Sequence, residues 1–296
     1  MSNLREIQSR IHSVRDTMKI TNAMYMIASS KLQKAKKSLK NTEPYFYTLQ
    51  DAIAKVIKQV PEDNESIYFH SKPKASNEKK KGYLIITGDK GLAGAYNHNV
   101  IKIAESELKK EGKPVFFLIG QVGRRHFEKK RIPYDEEFHY TVQNPTIHRA
   151  RVISGRILQM YNENKLDEVY VIYTRMIHSM ECKAEMKKLL PLDKADFQEQ
   201  EENSGETNQT NYLPTPYAVL NHVIPNYITG FLYGTLVQAY ASEQNSRMLA
   251  MESATRNAKE MLRGMSVTYN RVRQAAITQE ITEVISGAKL LKRRKL

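Results

Sequence analysis

An unbroken apolar periodicity at the N-terminus constrains the fold of this chain more than any other feature. Residues 1–43 contain no glycine or proline, so a helix can continue without interruption as far as Pro44. Apolar or small residues recur in this segment in alternating steps of three and four: Leu4, Ile7, Ile11, Val14, Met18, Thr21, Tyr25, Ala28, Leu32, Ala35 and Leu39. This 3.5-residue spacing is typical of one helix of a left-handed coiled coil, which needs a partner helix.

The C-terminal part of the chain supplies a second seam. From Pro216 onward the pattern predicts helix to the end of the chain, with Pro225 tolerated inside it. Small and flexible residues have the same spacing, and after a slip apolar ones continue it: Ala254, Ala258, Met261, Met265, Thr268, Val272 and Ala275, then Ile277, Ile281, Val284, Ala288 and Leu291. Seams at the two ends of one chain, separated by a compact domain, can meet only as an antiparallel pair. The C-terminal helix is the longer one, so we expect part of it to project alone or to be bound by another protein.

The middle of the chain has a different pattern, in which strand-like and helix-like segments alternate. The strand-like segments are Tyr83–Thr87, Val115–Ile119 and Glu168–Thr174, and the helix-like segments are Asn97–Lys110, Arg124–Lys130 and Ile147–Asn164. This alternation predicts a small α/β domain with a mostly parallel sheet. The predicted fold is therefore an α/β insert plus a long antiparallel two-helix coiled coil. Its parts are an N-terminal helix at 1–60, a linker at 61–81, the α/β domain at 82–195, a polar loop at 196–213 and a C-terminal helix at 214–296.

The charge of the chain indicates an acidic partner. Lys and Arg number 46 against 32 Asp and Glu, a net charge of +14, and the excess is concentrated at the two ends. Nucleic acid, anionic lipid or an acidic protein surface would all suit such an excess. The single Cys182 excludes an internal disulfide framework, and neither a membrane span nor a signal peptide is predicted.

The sequence contains no recognisable catalytic, cofactor-binding or metal-binding motif. The segment Gly88–Gly94 follows a predicted strand and precedes a predicted helix, where phosphate-binding loops occur. It lacks the Lys-Ser/Thr pair of a P-loop and the spacing of a dinucleotide-binding loop, so we expect a tight structural turn. The His residues and Cys182 lack metal-ligand spacing.

Three segments resemble the gamma subunits of F-type ATP synthases. They are the KITNAM segment at 19–24, the TGDKGLAGAYN segment at 87–97, and a C-terminal set comprising ASEQ at 241–244, Arg247-Met248 and 269–283. The resemblance extends over the full length of the chain. It implies a non-catalytic rotor, with the coiled coil inside a ring of three alpha and three beta subunits. It also implies that the α/β domain docks on the ring of c subunits beside the epsilon subunit, at the cytoplasmic face of the plasma membrane. No nucleic acid is expected.

The resemblance also implies which residues contact the beta subunits: Met24, Arg273, Gln274, Gln279, Thr282 and Glu283. Met24 would face an acidic loop, and Arg273 with Gln274 would hydrogen-bond a second loop. The planar guanidinium of an arginine suits such a contact because it can pair with a carboxylate through two parallel hydrogen bonds. The chain departs from the family pattern at Asn22, at Arg256, at Val272 and in the basic tail at 292–295.

Two other functions remain open from the residues alone. A basic coiled-coil protein could bind nucleic acid, although few aromatic residues are interleaved with the basic ones at either end. An α/β enzyme with helical arms could bind a nucleotide at the glycine-rich turn, although that turn lacks the residues that hold phosphate.

Overall fold

Two long helices begin and end the described chain. The computed structural model describes residues 2–60, 66–69, 75, 77–178, 181–197 and 212–293. Helix α1 spans Ser2–Ile57 and helix α5 spans Pro216–Arg293, with 56 and 78 residues respectively. At a rise of about 1.5 Å per residue, α5 has a contour length of about 117 Å. Both helices continue through an internal proline, Pro44 in α1 and Pro225 in α5, as the periodicity predicts.

Between these two helices, the described residues form one four-stranded sheet with three further α-helices. The elements in order are β1 (Lys80–Ile86), α2 (Tyr96–Glu107), β2 (Lys113–Ile119), α3 (Gln121–Lys130), α4 (Ile147–Asn162), β3 (Glu168–His178) and β4 (Glu181–Leu190), then a short 3₁₀ turn at Lys194–Phe197. The strand order is β2-β1-β3-β4. Strand β1 pairs in parallel with both β2 and β3, while β4 pairs antiparallel with β3. The predicted α/β insert and mostly parallel sheet are confirmed.

Strand β1 forms the centre of the hydrophobic core because it is buried on both faces. On one face, Tyr83 and Ile85 pack in a cluster with Phe116 and Leu118 of β2 and with Phe127 of α3. The alternate residues of these strands, including Leu84, Ile86 and Phe117, are also fully buried. An uninterrupted apolar run is what a central parallel strand requires, since helices cover both faces of such a sheet.

The predicted domain boundaries stay predictions, although several of them can be compared with the elements. Strand β1 begins at Lys80, inside the predicted linker at 61–81, of which 61–65, 70–74 and 76 lie outside the described residues. Residues 198–211 of the predicted polar loop also lie outside them. The side chains of the basic tail at 292–295 are likewise outside the described part.

The chain forms two structural units. The first consists of the described parts of Met1–Ile27 and Met248–Leu296, and the second consists of the described parts of Ala28–Arg247. The sheet and its helices belong to the second unit. Within the described residues, no helix has the length and apolar character needed to cross a lipid bilayer.

Candidate partner interface on the paired terminal helices

The N-terminal seam of α1 is confirmed in the first unit. At each seam position from 4 to 25 the side chain is half-buried, whereas nearly all the intervening side chains are exposed. The half-buried seam residues are Leu4, Ile7, Ile11, Val14, Met18, Thr21 and Tyr25. A continuous covered stripe with this spacing is the signature of one helix wound against another.

The seam of α5 was predicted correctly at four positions and was wrong by one residue at three others. Its predicted continuation at Ile277, Ile281, Val284 and Ala288 was wrong, because these side chains are all exposed, and the side chain of Leu291 lies outside the described residues. Ala254, Ala258, Met265 and Val272 are covered, as predicted. Met261, Thr268 and Ala275 are exposed instead, and their neighbours Leu262, Tyr269 and Ala276 are half-buried. The observed seam of α5 is Met251, Thr255, Ala258, Leu262, Met265, Tyr269, Val272 and Ala276, and the covered Ala254 lies directly beside it. It is thus bulkier than the seam of small residues predicted from the sequence, because Leu262 and Tyr269 bury larger side chains.

A hydrogen bond between the two helices fixes their register. The hydroxyl oxygens of Thr21 and Thr255 lie 2.8 Å apart, and either can donate. Antiparallel pairing that starts from this bond places Val14 opposite Leu262 and Leu4 opposite Val272. The first residue of α1 then lies opposite residue 274, so the part of α5 beyond that point has no α1 residue to pack against.

The outer end of α5 is therefore a solitary helix within the part of the chain that the structure describes. All the residues from 277 to 288 are exposed, and several of them are large and apolar. Ile277 is 47 % exposed, Ile281 54 %, Val284 72 % and Ile285 50 %. Apolar side chains in a row on a helix that has no neighbour mark a surface that another protein covers. This agrees with the prediction that the longer C-terminal helix projects beyond its partner.

The five α5 residues that the family resemblance assigns to partner contact are all exposed, and they occupy two sectors of the helix. At about 100° per residue, Arg273 and Gln274 share a sector with the apolar side chains Ile277, Ile281 and Val284. The others, Gln279, Thr282 and Glu283, lie on the opposite side, where they line one shallow groove. The sixth residue, Met24, is half-buried on α1 beside the seam.

The side-chain contacts in these two sectors differ. In the groove sector, Gln279 donates a hydrogen bond from Nε2 to Oε1 of Glu283 at 3.0 Å, which holds both side chains against the helix. In the apolar sector, Arg273 has no carboxylate within salt-bridge distance among the described residues. Its guanidinium is thus available to a carboxylate on another protein.

Four exposed hydroxyl groups of α5 donate their hydrogen bonds within the helix. Each donates to the carbonyl oxygen four residues earlier in the chain, at distances between 2.8 and 3.1 Å. The donors are Ser266, Thr268, Thr278 and Thr282. Such hydroxyls have no proton left over for a fixed partner.

The glycine-rich loop after β1 has the geometry of a structural turn. The backbone N–H of Gly88, which would face a phosphate in a nucleotide-binding protein, donates to Oδ1 of Asn97 at 2.7 Å. The Asp89 carboxylate accepts from the backbone N–H of Gln121 at 3.2 Å, at the start of α3, and also from the Thr141 hydroxyl. The N–H of Gly88 is therefore already bonded to a side chain of α2, and the Asp89 carboxylate is already bonded at the N-terminus of α3. This arrangement argues against the nucleotide-binding alternative.

Sequence reasoning missed a buried ion pair in the second unit. Glu243 and Arg247 of α5 form a salt bridge of 2.7 Å, with side chains only 4 % and 11 % exposed. The sequence signal was present, because both residues lie in the C-terminal segments that resemble gamma subunits. No role for either residue was predicted, since the residues that they contact are more than 150 positions away in the chain.

Comparisons with known proteins agree with this architecture. The family model described as ATP synthase matches residues 3–291. The ATP synthase gamma chain of Acetivibrio thermocellus is 42 % identical over 99 % of this chain and 100 % of that protein. The gamma chain of Ruminiclostridium cellulolyticum is 43 % identical over 98 % and 99 % respectively. Among solved structures, a chain of the OSCP/F1/c-ring part of the Euglena gracilis mitochondrial ATP synthase has the same fold. Its TM-score is 0.65 at 13 % identity, covering 99 % of this chain and 96 % of that one.

Proposed function

The chain belongs to the ATP synthase gamma chain family, and we propose that it is the central-stalk rotor of an F1Fo ATP synthase. In this role it couples ion flow through a ring of c subunits to conformational change at the catalytic sites of the beta subunits. The observation that supports this most directly is the solitary outer end of α5, an exposed apolar helix that extends beyond its coiled-coil partner. Such a helix needs a surrounding protein, and a sleeve of three alpha and three beta subunits would supply one.

The coupling is allosteric, and it depends on the asymmetry of the shaft. A rotor changes the affinity of a catalytic site only if it makes different contacts with each conformation of that site. The two sectors of α5 differ in this way, because one is apolar with an unpaired arginine and the other is polar and internally hydrogen-bonded. As the shaft turns, each beta subunit meets these sectors in succession.

The two sectors contact different subunits of the ring at any moment. Arg273 and Gln274 hydrogen-bond a loop of one beta subunit, while Gln279, Thr282 and Glu283 face a subunit on the opposite side. Since the sectors point in opposite directions, one flat protein surface cannot bind both sets at once. Met24 on α1 faces an acidic loop of a beta subunit.

The sheet domain connects the shaft to the membrane sector. It docks on the ring of c subunits beside the epsilon subunit, so the protein is peripheral on the cytoplasmic face of the plasma membrane. Catalysis belongs to the beta subunits in this proposal, and the chain itself contributes no active site. The hydrogen bonds that Asn97 and Asp89 make at the glycine-rich loop support a chain without a nucleotide site of its own.

The test of this function is assembly. The chain is co-expressed with the alpha and beta subunits of the same organism, and the complex is purified through a tag on beta. We expect one copy of the chain for each ring of three alpha and three beta subunits, and we expect rapid ATP turnover only when the chain is present. A ring that purifies and turns over without it would refute the proposal.

The contact role of Arg273 is tested by a matched pair of variants in that complex. Loss of a hydrogen bond to a charged group costs about 1.5–3 kcal/mol, so Arg273→Ala is expected to reduce ATP turnover by about tenfold or more. Arg271→Ala removes another exposed arginine from the same helix and serves as the control. Circular dichroism of the isolated chain should be the same for both variants. A loss of helix in Arg273→Ala, or an equal effect of the two substitutions, would contradict the contact role.

A further inference from the structure

The place in the sheet domain where α/β proteins commonly bind a ligand is filled in this chain by side chains of α5. The topological switch point of the sheet lies between β1 and β3. The chain runs from β1 outward to β2 on one side, and it then returns across β1 to form β3 on the other side. Ligands of open α/β sheets bind outside the carboxyl ends of the strands at this point. Here Glu243 and Arg247 of α5 contact the loop that follows β1.

Arg247 makes directional bonds to this loop from one nitrogen. Its Nη2 donates to the backbone carbonyl of Lys90 at 3.3 Å and to that of Gly91 at 3.1 Å. The same nitrogen pairs with Oε1 of Glu243 at 2.7 Å. One turn earlier, the hydroxyl of Ser242 donates to the carbonyl oxygen of Thr174 in β3 at 2.9 Å. Helix α5 is thus hydrogen-bonded to strand β3 and to the loop that follows β1, on the two sides of the switch point.

The loop in turn fits closely around the glutamate. A Cβ atom added at Gly88 would lie 3.0 Å from both Cδ and Oε1 of Glu243, so any residue larger than glycine would require the carboxylate to shift. We call Gly88, Lys90, Gly91, Glu243 and Arg247 the clamp.

The clamp is not built for stability alone. Burial raises the pKa of the Glu243 carboxyl above its ordinary value, against the opposing influence of the Arg247 guanidinium. The second carboxylate oxygen of Glu243 and the hydroxyl of Tyr96 are buried without a hydrogen-bond partner among the described residues. Buried ion pairs often contribute little net stability, and well-packed apolar residues at the same positions would avoid these costs. What the ion pair provides instead is a fixed orientation of α5 relative to the loop after β1. Hydrogen bonds weaken when the groups slide or rotate, whereas apolar contacts are non-directional.

We propose that the clamp transmits torque between α5 and the sheet domain. This rests on the rotor function proposed above. Arg247 is the last residue of α5 that belongs to the second unit, and Met248 is the first of the other. The hydrogen bonds of Arg247 therefore join the last residue of α5 in this unit to the loop after β1. Arg247 acts as a positioning residue through the carbonyl groups of Lys90 and Gly91, and Glu243 holds its guanidinium in place.

The proposal is tested with the complete ATP synthase in sealed vesicles, by measuring ion pumping and ATP hydrolysis together. Arg247→Lys keeps the charge, but its ammonium nitrogen sits on a flexible stem and lacks the planar guanidinium that aims Nη2 at the carbonyl groups of Lys90 and Gly91. The double variant Glu243→Gln/Arg247→Gln removes both charges and leaves no unpaired ion in the interior. Arg175→Lys, in an exposed ion pair of the same unit, is the control.

We expect both clamp variants to lower the ratio of ions pumped to ATP hydrolysed by about three- to tenfold, the range that the loss of an ordinary hydrogen bond gives. The ATP hydrolysis of the soluble ring that contains each variant chain should remain near the normal rate, and the control should pump normally. An unchanged ratio in both variants would overturn the proposal, even if their thermal unfolding temperatures fell, because the pair would then serve stability alone. Failure of both clamp variants to assemble, when the control does assemble, would also overturn it. If the unmodified chain fails to assemble, the rotor function itself is wrong.

Discussion

Truncation of Leu262 tests the observed seam of the coiled coil against the one expected from the sequence. The two seams differ at neighbouring residues, since Leu262 is half-buried whereas Met261 is 51 % exposed. Leu262→Ala should therefore weaken the pairing of α1 and α5. Met261→Ala should leave it almost unchanged, which makes the second variant a matched control.

The expected magnitude follows from the surface that is removed. Leu262→Ala deletes three carbon atoms, each contributing about 0.8 kcal/mol when fully buried, or about 2.4 kcal/mol in all. Because Leu262 is only half-buried, we expect a loss of about 1.5 kcal/mol in the stability of the coiled coil, close to a tenfold change in its opening equilibrium. Met261→Ala truncates an exposed side chain and gains helix propensity, so its effect should stay within about 0.5 kcal/mol.

The assay is amide hydrogen exchange of the isolated chain, read by mass spectrometry on peptides of α1. In the Leu262→Ala variant, exchange in the first 20 residues should be about tenfold faster, because opening of the pair exposes both helices. Peptides from β1 and β3 should exchange at the normal rate and serve as the internal control. Equal effects of the two substitutions, or a larger effect of Met261→Ala, would refute the seam assigned to α5.

Two further predictions concern the sheet domain. In Gly120→Ala, the new Cβ would lie 2.1 Å from the backbone oxygen of Thr87, at a φ of +91°, so we expect urea unfolding to show a loss of about 3 kcal/mol or more. Gly155→Ala has nothing within 4 Å and should be neutral or slightly stabilising; equal losses would contradict the steric argument. Burial raises the pKa of Tyr161 to about 12 from an ordinary value of 10.0, so its contribution to stability is complete below about pH 10 and is lost as the pH rises toward 12. Between about pH 9 and pH 11 the unmodified chain should therefore lose more stability than Tyr161→Phe, and equal losses would contradict a raised pKa.

The sequence predicted those parts of the fold in which the apolar residues follow one simple pattern, because each of them is apolar only in order to be buried. The seam of α1 and the three parallel strands have simple periodicities, and the structure confirms them. Strand β4 was missed because it is an edge strand rich in lysine, and its exposed face includes Lys183 and Lys187. The α5 seam was ambiguous because Met261 and Leu262 are both apolar, and only the register set by Thr255 distinguishes them.

The candidate site was predictable only in part. The solitary end of α5 follows from helix length and was expected. The individual contact residues, including Arg273, came from family resemblance and stay predictions, because no second chain is present to contact them. The clamp could not be predicted, since its hydrogen bonds join Arg247 to carbonyl groups 156 and 157 positions away and backbone acceptors have no sequence signature.

The internally bonded hydroxyl groups of α5 have a mechanical consequence. Because Ser266, Thr268, Thr278 and Thr282 donate their protons to their own helix, these hydroxyl groups can only accept hydrogen bonds from a neighbouring protein. This part of the α5 surface is polar and hydrated, yet these four hydroxyl groups offer no hydrogen-bond donor to a neighbouring protein. When the helix turns inside a surrounding protein, these positions would resist sliding only weakly. The guanidinium of Arg273 would instead donate strong hydrogen bonds to a carboxylate of that protein.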